Sequence, residues 1–150
     1  MKTSEHGIDL IKRFEGCRLT AYPDPATGGE PYTCGWGITS AAGVGIVDRH
    51  TVWTEQEAHD KLVEALGRYE HAVLEAVKHP LTQNQFDACV SLCWNIGPTN
   101  FKHSSVVRHI NEGRMQEAAD SFLAWDKAAH HVMAGLHRRR EQERGQFLAT

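Results

Sequence analysis

The feature that most constrains the fold is a change of texture at Thr54. Before it the chain is short-ranged and rich in turns; after it the apolar residues recur with helical spacing. Two extended runs, Arg18 to Tyr22 and Tyr32 to Ile38, flank Pro23-Asp24-Pro25-Ala26-Thr27-Gly28-Gly29-Glu30-Pro31. Three prolines and two glycines in that stretch deny it helix or ladder, so the pattern predicts a hairpin with a long, stiff connection. Gly35 and Gly37 alternate with Cys34, Trp36 and Ile38, predicting a strand that another backbone or a ligand approaches closely. A third strand is expected at Val44 to Val47.

Ser4 is a good N-cap for a first helix with Ile8, Ile11 and Phe14 on one face, and Gly16 can stop it in the left-handed conformation. Beyond Thr54, the pair Thr54 and Glu57 forms a capping box ahead of the stripe Ala58, Leu62, Leu66, Tyr69, Val73 and Val77, with Pro80 ending the helix. Thr82 and Gln85 repeat the box before Phe86, Cys89, Cys93 and Ile96, and Gly97-Pro98 stop that helix. Further helices are expected over Ser105–Asn111, Met115–Ala124 and Leu136–Leu148. The fold class is therefore α+β, with a small β-hairpin lobe and a larger all-helical lobe joined by one long helix. The chain reads as a single domain over 1–150, divided near residue 54 into an N-terminal helix with β lobe (about 1–54) and a helical lobe (about 55–150). A cleft between two unequal lobes suits an extended polymer.

Composition narrows the partners. A net charge of −3 argues against a polyanion such as nucleic acid. The basic run Arg138-Arg139-Arg140 sits among Glu141, Glu143 and Arg144, reading as a charged helix with its own counter-ions. No apolar run reaches the roughly 20 residues of a membrane span, so no membrane insertion is expected. Lacking an apolar leader or cleavage site at Met1–Gly16, the protein is expected to be made and held in the cytoplasm. Cys17, Cys34, Cys89 and Cys93 contain no C-x-x-C pair, and the ten histidines no H-E-x-x-H. Buried thiols, surface histidines, no metal and no cofactor are the expectation, with a Cys17–Cys34 disulfide after export left open.

Two carboxylates draw attention as a pair. Glu15 closes the first helix, where carbonyl dipoles disfavour an ionised carboxyl, and Asp24 is held between two prolines in the hairpin loop. Alone, each is an ordinary structural residue. Together they match the requirement of glycoside hydrolysis, one acid to protonate the leaving oxygen and one carboxylate to activate water or attack the carbon, about 6.5–9.5 Å apart for inversion or about 5–5.5 Å for retention. Thr33 on the returning strand offers a hydroxyl for that water, or is simply a residue that suits a strand.

At this point the chain resembles the phage lysozymes of glycoside hydrolase family 24, with the loop of a lambdoid-type endolysin. The resemblance runs through Phe14-Glu15-Gly16-Cys17-Arg18-Leu19, Ala21-Tyr22-Pro23-Asp24 and Thr33-Cys34-Gly35-Trp36-Gly37. It resumes at Leu81-Thr82-x-x-Gln85-Phe86-Asp87-Ala88, Trp94-Asn95-Ile96-Gly97 and Ala134-Gly135-Leu136-x-Arg138-Arg139. It implies a lysozyme-like fold with its active site in the cleft, and an endolysin that hydrolyses the β-1,4 bond between N-acetylmuramic acid and N-acetylglucosamine in peptidoglycan. Glu15, Asp24 and Thr33 match the catalytic triad, and Trp94, Asn95 and Ser104 match positions lining the glycan groove; Trp94 could equally be a core aromatic. The resemblance further implies a monomer that waits in the host cytoplasm, reaches the periplasm and cell wall through a holin-type pore, and lyses the host cell. Ile38 departs from the family, which usually has His after Gly-x-Gly, so apolar packing is expected there in place of a polar contact. Competing readings are a lytic transglycosylase using Glu15 alone, a zinc amidase, for which no ligand spacing is present, and a catalytically impaired wall-binding relative.

Overall fold

The computed structural model describes residues 1–150. Helix α1 (Glu5–Glu15) leads into strands β1 (Arg18–Tyr22) and β2 (Thr33–Gly35), followed by a short 3-10 turn (Ser40–Ala42) and the long helix α2 (Glu55–Ala76). Five more helices follow: α3 (Gln83–Ile96), α4 (Pro98–Lys102), α5 (Ser105–Asn111), α6 (Met115–Ser121) and α7 (Ala134–Leu148). A 3-10 turn (Phe122–Ala124) and a two-stranded hairpin, β3 (Lys127–Ala128) with β4 (His131–Val132), separate the last two. The fold is α+β. It comprises two compact units, one formed by Ile11–Gly67 and the other by Met1–Leu10 together with Arg68–Thr150.

In the unit spanning Ile11–Gly67, β1 and β2 pair antiparallel with Arg18 opposite Gly35 and Tyr22 opposite Thr33. The expected strand to Ile38 is cut short. Gly35 and Gly37 have φ of +62° and +79°, and the chain turns back so that Cys34 and Ile38 exchange both backbone hydrogen bonds, 2.9 and 3.0 Å. Glycine's freedom at positive φ is what makes so tight a reversal possible. Val44–Val47 is not a strand either. Its ends are tied by side chains: Ser40 Oγ accepts from the Val47 amide at 2.8 Å, and Lys61 Nζ donates to the Val44 carbonyl at 2.5 Å. The third extended contact comes instead from Val52, which bridges to Thr20. Cys34, Ile38, Val44, Val47, Trp53, Ala58, Leu62 and Leu66 form the core. Ile38 is fully buried, so apolar packing does occupy that position.

The capping box opening α2 is formed as the sequence requires: the Glu57 amide donates to Thr54 Oγ1 at 3.1 Å and the Thr54 amide to Glu57 Oε1 at 3.0 Å. The reciprocal pair Thr82 and Gln85 opens α3. In the second unit, all eight residues of α3 from Phe86 to Cys93 are buried, and α7 packs along it. The N-terminal segment is tied to this helix by polar contacts. Asp87, wholly buried, accepts from the Ser4 amide (3.0 Å), the Ser4 hydroxyl and Gln83 Nε2 (2.8 Å), so a carboxylate sits at the α1 N-terminus where orphan amides and the helix dipole favour it.

Two of the three arginines of the basic run are internal rather than solvated, Arg138 alone being exposed. Arg139, Arg140 and Glu143 share the inward face of α7 and are each at most 4% exposed. Arg139 Nε lies 3.2 Å from Glu143 Oε2, Arg140 Nε 2.7 Å from Oε1, and the Ser91 hydroxyl donates to Oε2 at 2.5 Å. Its counter-ion is therefore on its own helix, as the spacing predicts, but burial raises the stakes of each contact: desolvation pushes the Glu143 carboxyl up and the Arg140 guanidinium down, against their mutual attraction. Three cysteines are buried; Cys17 is exposed, because it follows the end of α1 at the outer start of β1. Burial drives the Cys89 thiol above the ordinary range and Cys93 up to about 12. Most histidines are exposed, with His59, His109 and His137 half-buried.

Three measurements follow from this packing. Glu143→Ala should cost about 3–5 kcal/mol in urea unfolding by stranding two buried guanidiniums. A water-soluble disulfide reagent should modify one thiol in the native protein and all four after denaturation. At the base of the β3–β4 hairpin, His137 Nδ1 (3.0 Å) and Lys127 Nζ (3.2 Å) hold the Asp126 carboxyl below its usual range. A lowered folded value stabilises above the unfolded aspartate range, near pH 4, and is lost as pH falls through that lower value. Hydrogen-exchange protection factors across Lys127–Met133, taken relative to the intrinsic rate at each pH, should fall on acidification through that window, and Asp126→Asn should abolish the acid-side fall.

Candidate active site

Glu15, Asp24 and Thr33 all lie in the Ile11–Gly67 unit. Glu15 is the last residue of α1, and Gly16 follows with φ of +67°, its amide donating to the Lys12 carbonyl at 3.4 Å. The glutamate is half-buried. Its carboxyl rests against the reversal at 34–38: a methyl group built on Gly37 would stand 2.8 Å from Glu15 Oε2. A side chain there would displace the carboxyl and sit in left-handed backbone. The ring of Trp53 plays the same part beneath Gly35, where an added Cβ would lie 3.0 Å from two ring carbons. The groups that approach these glycines are side chains, a carboxyl and an indole, in place of the backbone or ligand expected.

Asp24 organises its own loop. Its Oδ1 accepts from the Ala26 amide at 2.7 Å, its carbonyl accepts from Thr27 (3.2 Å) and Gly28 (2.8 Å), and its amide donates to the Gly29 carbonyl at 3.0 Å. This Asx turn commits one carboxylate oxygen to the backbone and leaves the other for a partner. Thr27 completes the connection by donating from its hydroxyl to the Glu30 carbonyl at 2.6 Å. Thr33 opens β2 directly opposite Tyr22, which places it across the ladder from the residues leading into Asp24. The structure thus brings a helix-end glutamate, a loop-locked aspartate and a strand threonine into one small unit.

Trp94, Asn95 and Ser104 lie in the other unit. Trp94 is half-buried with its ring tilted 60° against Tyr69, the centroids 4.9 Å apart, and Asn95 is exposed near the C-terminal end of α3. Ser104 is buried and caps α5: its hydroxyl accepts from the Val107 amide at 3.3 Å and donates to the Phe101 carbonyl at 2.7 Å. A hollow of about 590 Å³ in this unit, lined among others by Glu75, Lys78, Pro98, Lys102 and Asn111, contains none of the candidate residues.

Lys12 and Trp36 escaped the sequence reading. Lys12 stands one turn before Glu15, with its Nζ 5.0 Å from the Trp36 ring centroid and 2.8 Å from His59 Nδ1. Helical spacing marks Lys12 as a neighbour of Glu15, but nothing in the sequence pairs it with Trp36 or His59.

Gly37→Ala should displace the Glu15 carboxyl and cost about 1–2 kcal/mol for a side chain forced into left-handed backbone. A crystal structure of the variant and its thermal unfolding check both effects.

The chain matches the phage lysozyme family model over residues 12–143. It is 41% identical to the endolysin of Salmonella phage P22, covering 99% of both chains. It is 40% identical to the endolysin of Bacillus phage PZA, covering 98% of this chain but 55% of the relative; the chain thus spans about half the length of some curated relatives. Among solved structures it is similar to the muramidase domain of SpmX from Asticaccaulis excentricus (TM-score 0.88, 39% identity) and to a mutant of P22 lysozyme (TM-score 0.86, 39% identity), each covering 99% of both chains. No helix is long and apolar enough to cross a membrane. The lysozyme-like α+β fold and the match along nearly the whole chain establish that this protein belongs to the phage lysozyme family.

Proposed function

We propose that this protein is a muramidase that hydrolyses the β-1,4 bond between N-acetylmuramic acid and N-acetylglucosamine in bacterial peptidoglycan. The observation that carries the reading is the seat of Glu15, a half-buried carboxyl at a helix end held against a glycine turn. Glu15 gives its proton to the glycosidic oxygen as the bond to the anomeric carbon breaks. Asp24, with the Thr33 hydroxyl, holds a water on the opposite face, takes its proton and delivers the oxygen to that carbon. Its Asx turn supports this role, since an aspartate fixed by its own loop loses little freedom on engaging water.

The glycan is read by Trp94 and Asn95, the indole offering part of a face to a sugar ring and the amide hydrogen-bonding its substituents. Ser104 serves by fixing the turn between α4 and α5. The whole of 1–150 acts as one catalytic domain, a monomer held in the host cytoplasm until a holin-type pore admits it to the wall. Endolysin relatives of the same length support that role.

The deciding measurement is mass spectrometry of fragments released from purified peptidoglycan by the wild type, Glu15→Gln and Asp24→Asn. Reducing-end muropeptides from the wild type, reduced at least about 10²-fold in each variant, are expected for an acid–base pair. Anhydro products with Asp24→Asn still active would mean a transglycosylase, and no release would mean a wall-binding relative.

A further inference from the structure

Beside the candidate active site, the Ile11–Gly67 unit contains a second concavity of about 390 Å³, lined by Lys12, Cys17, Leu19, Trp36 and Glu55. It shares two elements with the site: Lys12 lies one turn before Glu15 on α1, and Trp36 immediately precedes Gly37, which abuts the Glu15 carboxyl. None of its lining residues belongs to the proposed chemistry.

The lining carries two opposite charges that do not neutralise each other. The Lys12 ammonium is held over the Trp36 ring and against His59 Nδ1, which uses one of its three N–H donors and leaves two. Glu55, in the first turn of α2, is exposed and makes no salt bridge. Leu19 and Trp36 add an apolar wall. Cys17 senses both charges: after burial, Glu55 pushes its thiol up, while Lys12 pulls it down. A neutral sugar would leave both charges unused, whereas a ligand carrying both a carboxylate and an ammonium would engage each. The volume suits one or two amino-acid residues, at the small end of ligand pockets. The lysine is already held by ring and imidazole, so little side-chain entropy remains to be lost on binding.

We propose that this concavity binds the zwitterionic end of the short peptide that branches from the glycan, with its carboxylate on Lys12 and its ammonium on Glu55. The inference rests on the muramidase reading for its choice of ligand. The protein would then grip its polymer by peptide as well as by sugar, and would favour strands whose peptides are uncross-linked, because cross-linking consumes the free ammonium.

Cys17 supplies the readout, being the exposed thiol and part of the lining. Its rate of modification by a small disulfide reagent is measured in the full chain with the synthetic tetrapeptide L-alanyl-γ-D-glutamyl-meso-diaminopimelyl-D-alanine, with the same peptide acetylated on its side-chain amine and amidated at its carboxylates, and with chitotetraose. Occupancy slows modification by 1 + [L]/Kd, about tenfold at ten times Kd. Slowing is expected with the free peptide alone, and its loss in both Lys12→Met and Glu55→Gln, with thermal unfolding confirming that each variant is folded. No slowing up to millimolar peptide, equal slowing by the capped peptide or chitotetraose, or slowing that survives both substitutions would overturn the proposal. Release of reducing-end muropeptides from intact purified peptidoglycan is followed in parallel. Cleavage without Cys17 protection defeats only the peptide site, whereas protection without cleavage defeats the muramidase reading.

Discussion

The contact between Glu15 and Gly37 is the constraint around which the smaller unit is arranged. A carboxyl that must lie within van der Waals reach of backbone can do so only where no Cβ intrudes, and Gly37 at φ +79° meets that condition. The reversal bearing Gly37 is in turn locked by the paired hydrogen bonds of Cys34 and Ile38, and supported from below by Trp53 against Gly35. Ile38 and Trp53 are both buried, so the apolar core of this unit is what aims the turn at the glutamate. The seat of the acid is thus shaped by the turn it rests against.

The aspartate is held by a different means. Its loop has no apolar core, and its geometry comes from a closed set of hydrogen bonds among Asp24, Ala26, Thr27, Gly28, Gly29 and Glu30, with prolines at 23, 25 and 31 limiting the backbone's alternatives. Local chemistry suffices there because every partner lies within a few residues. One candidate group is thus placed by tertiary packing and the other by its own turn.

The larger unit depends on buried polar order as well as on apolar burial. Asp87 collects donors from the N-terminal segment, and Glu143 gathers two arginines and Ser91 where α3 and α7 meet. Such groups stabilise only in one register, since a shift by a single residue would strand charges in a low-dielectric interior. Apolar contacts alone discriminate weakly between registers; these polar pairings select one arrangement.

Much of this was legible in the chain itself. Both capping boxes, the first strand, and the bounds of α1 and α5 depend on residues within one or two turns of each other, and local propensity decides them. The pairing of Glu15 with Asp24 as candidates came from chemistry and from resemblance to a family, and the family is confirmed along nearly the whole chain. The expected strand Tyr32–Ile38 failed beyond Gly35, and that at Val44–Val47 throughout, because alternation cannot distinguish a strand from a turn whose hydrogen bonds close on themselves, or from a loop tied by Ser40 and Lys61. The inward side of Arg139 and Arg140 was equally hidden, since charge patterning reads counter-ions but not depth. By itself, then, the sequence determined most of the helices and the stiff aspartate loop, and it named candidates for acid–base chemistry. Only the tertiary structure decided what lies against Glu15, which charges are buried and which cysteine is exposed, because those depend on contacts between segments that local energetics do not bring together.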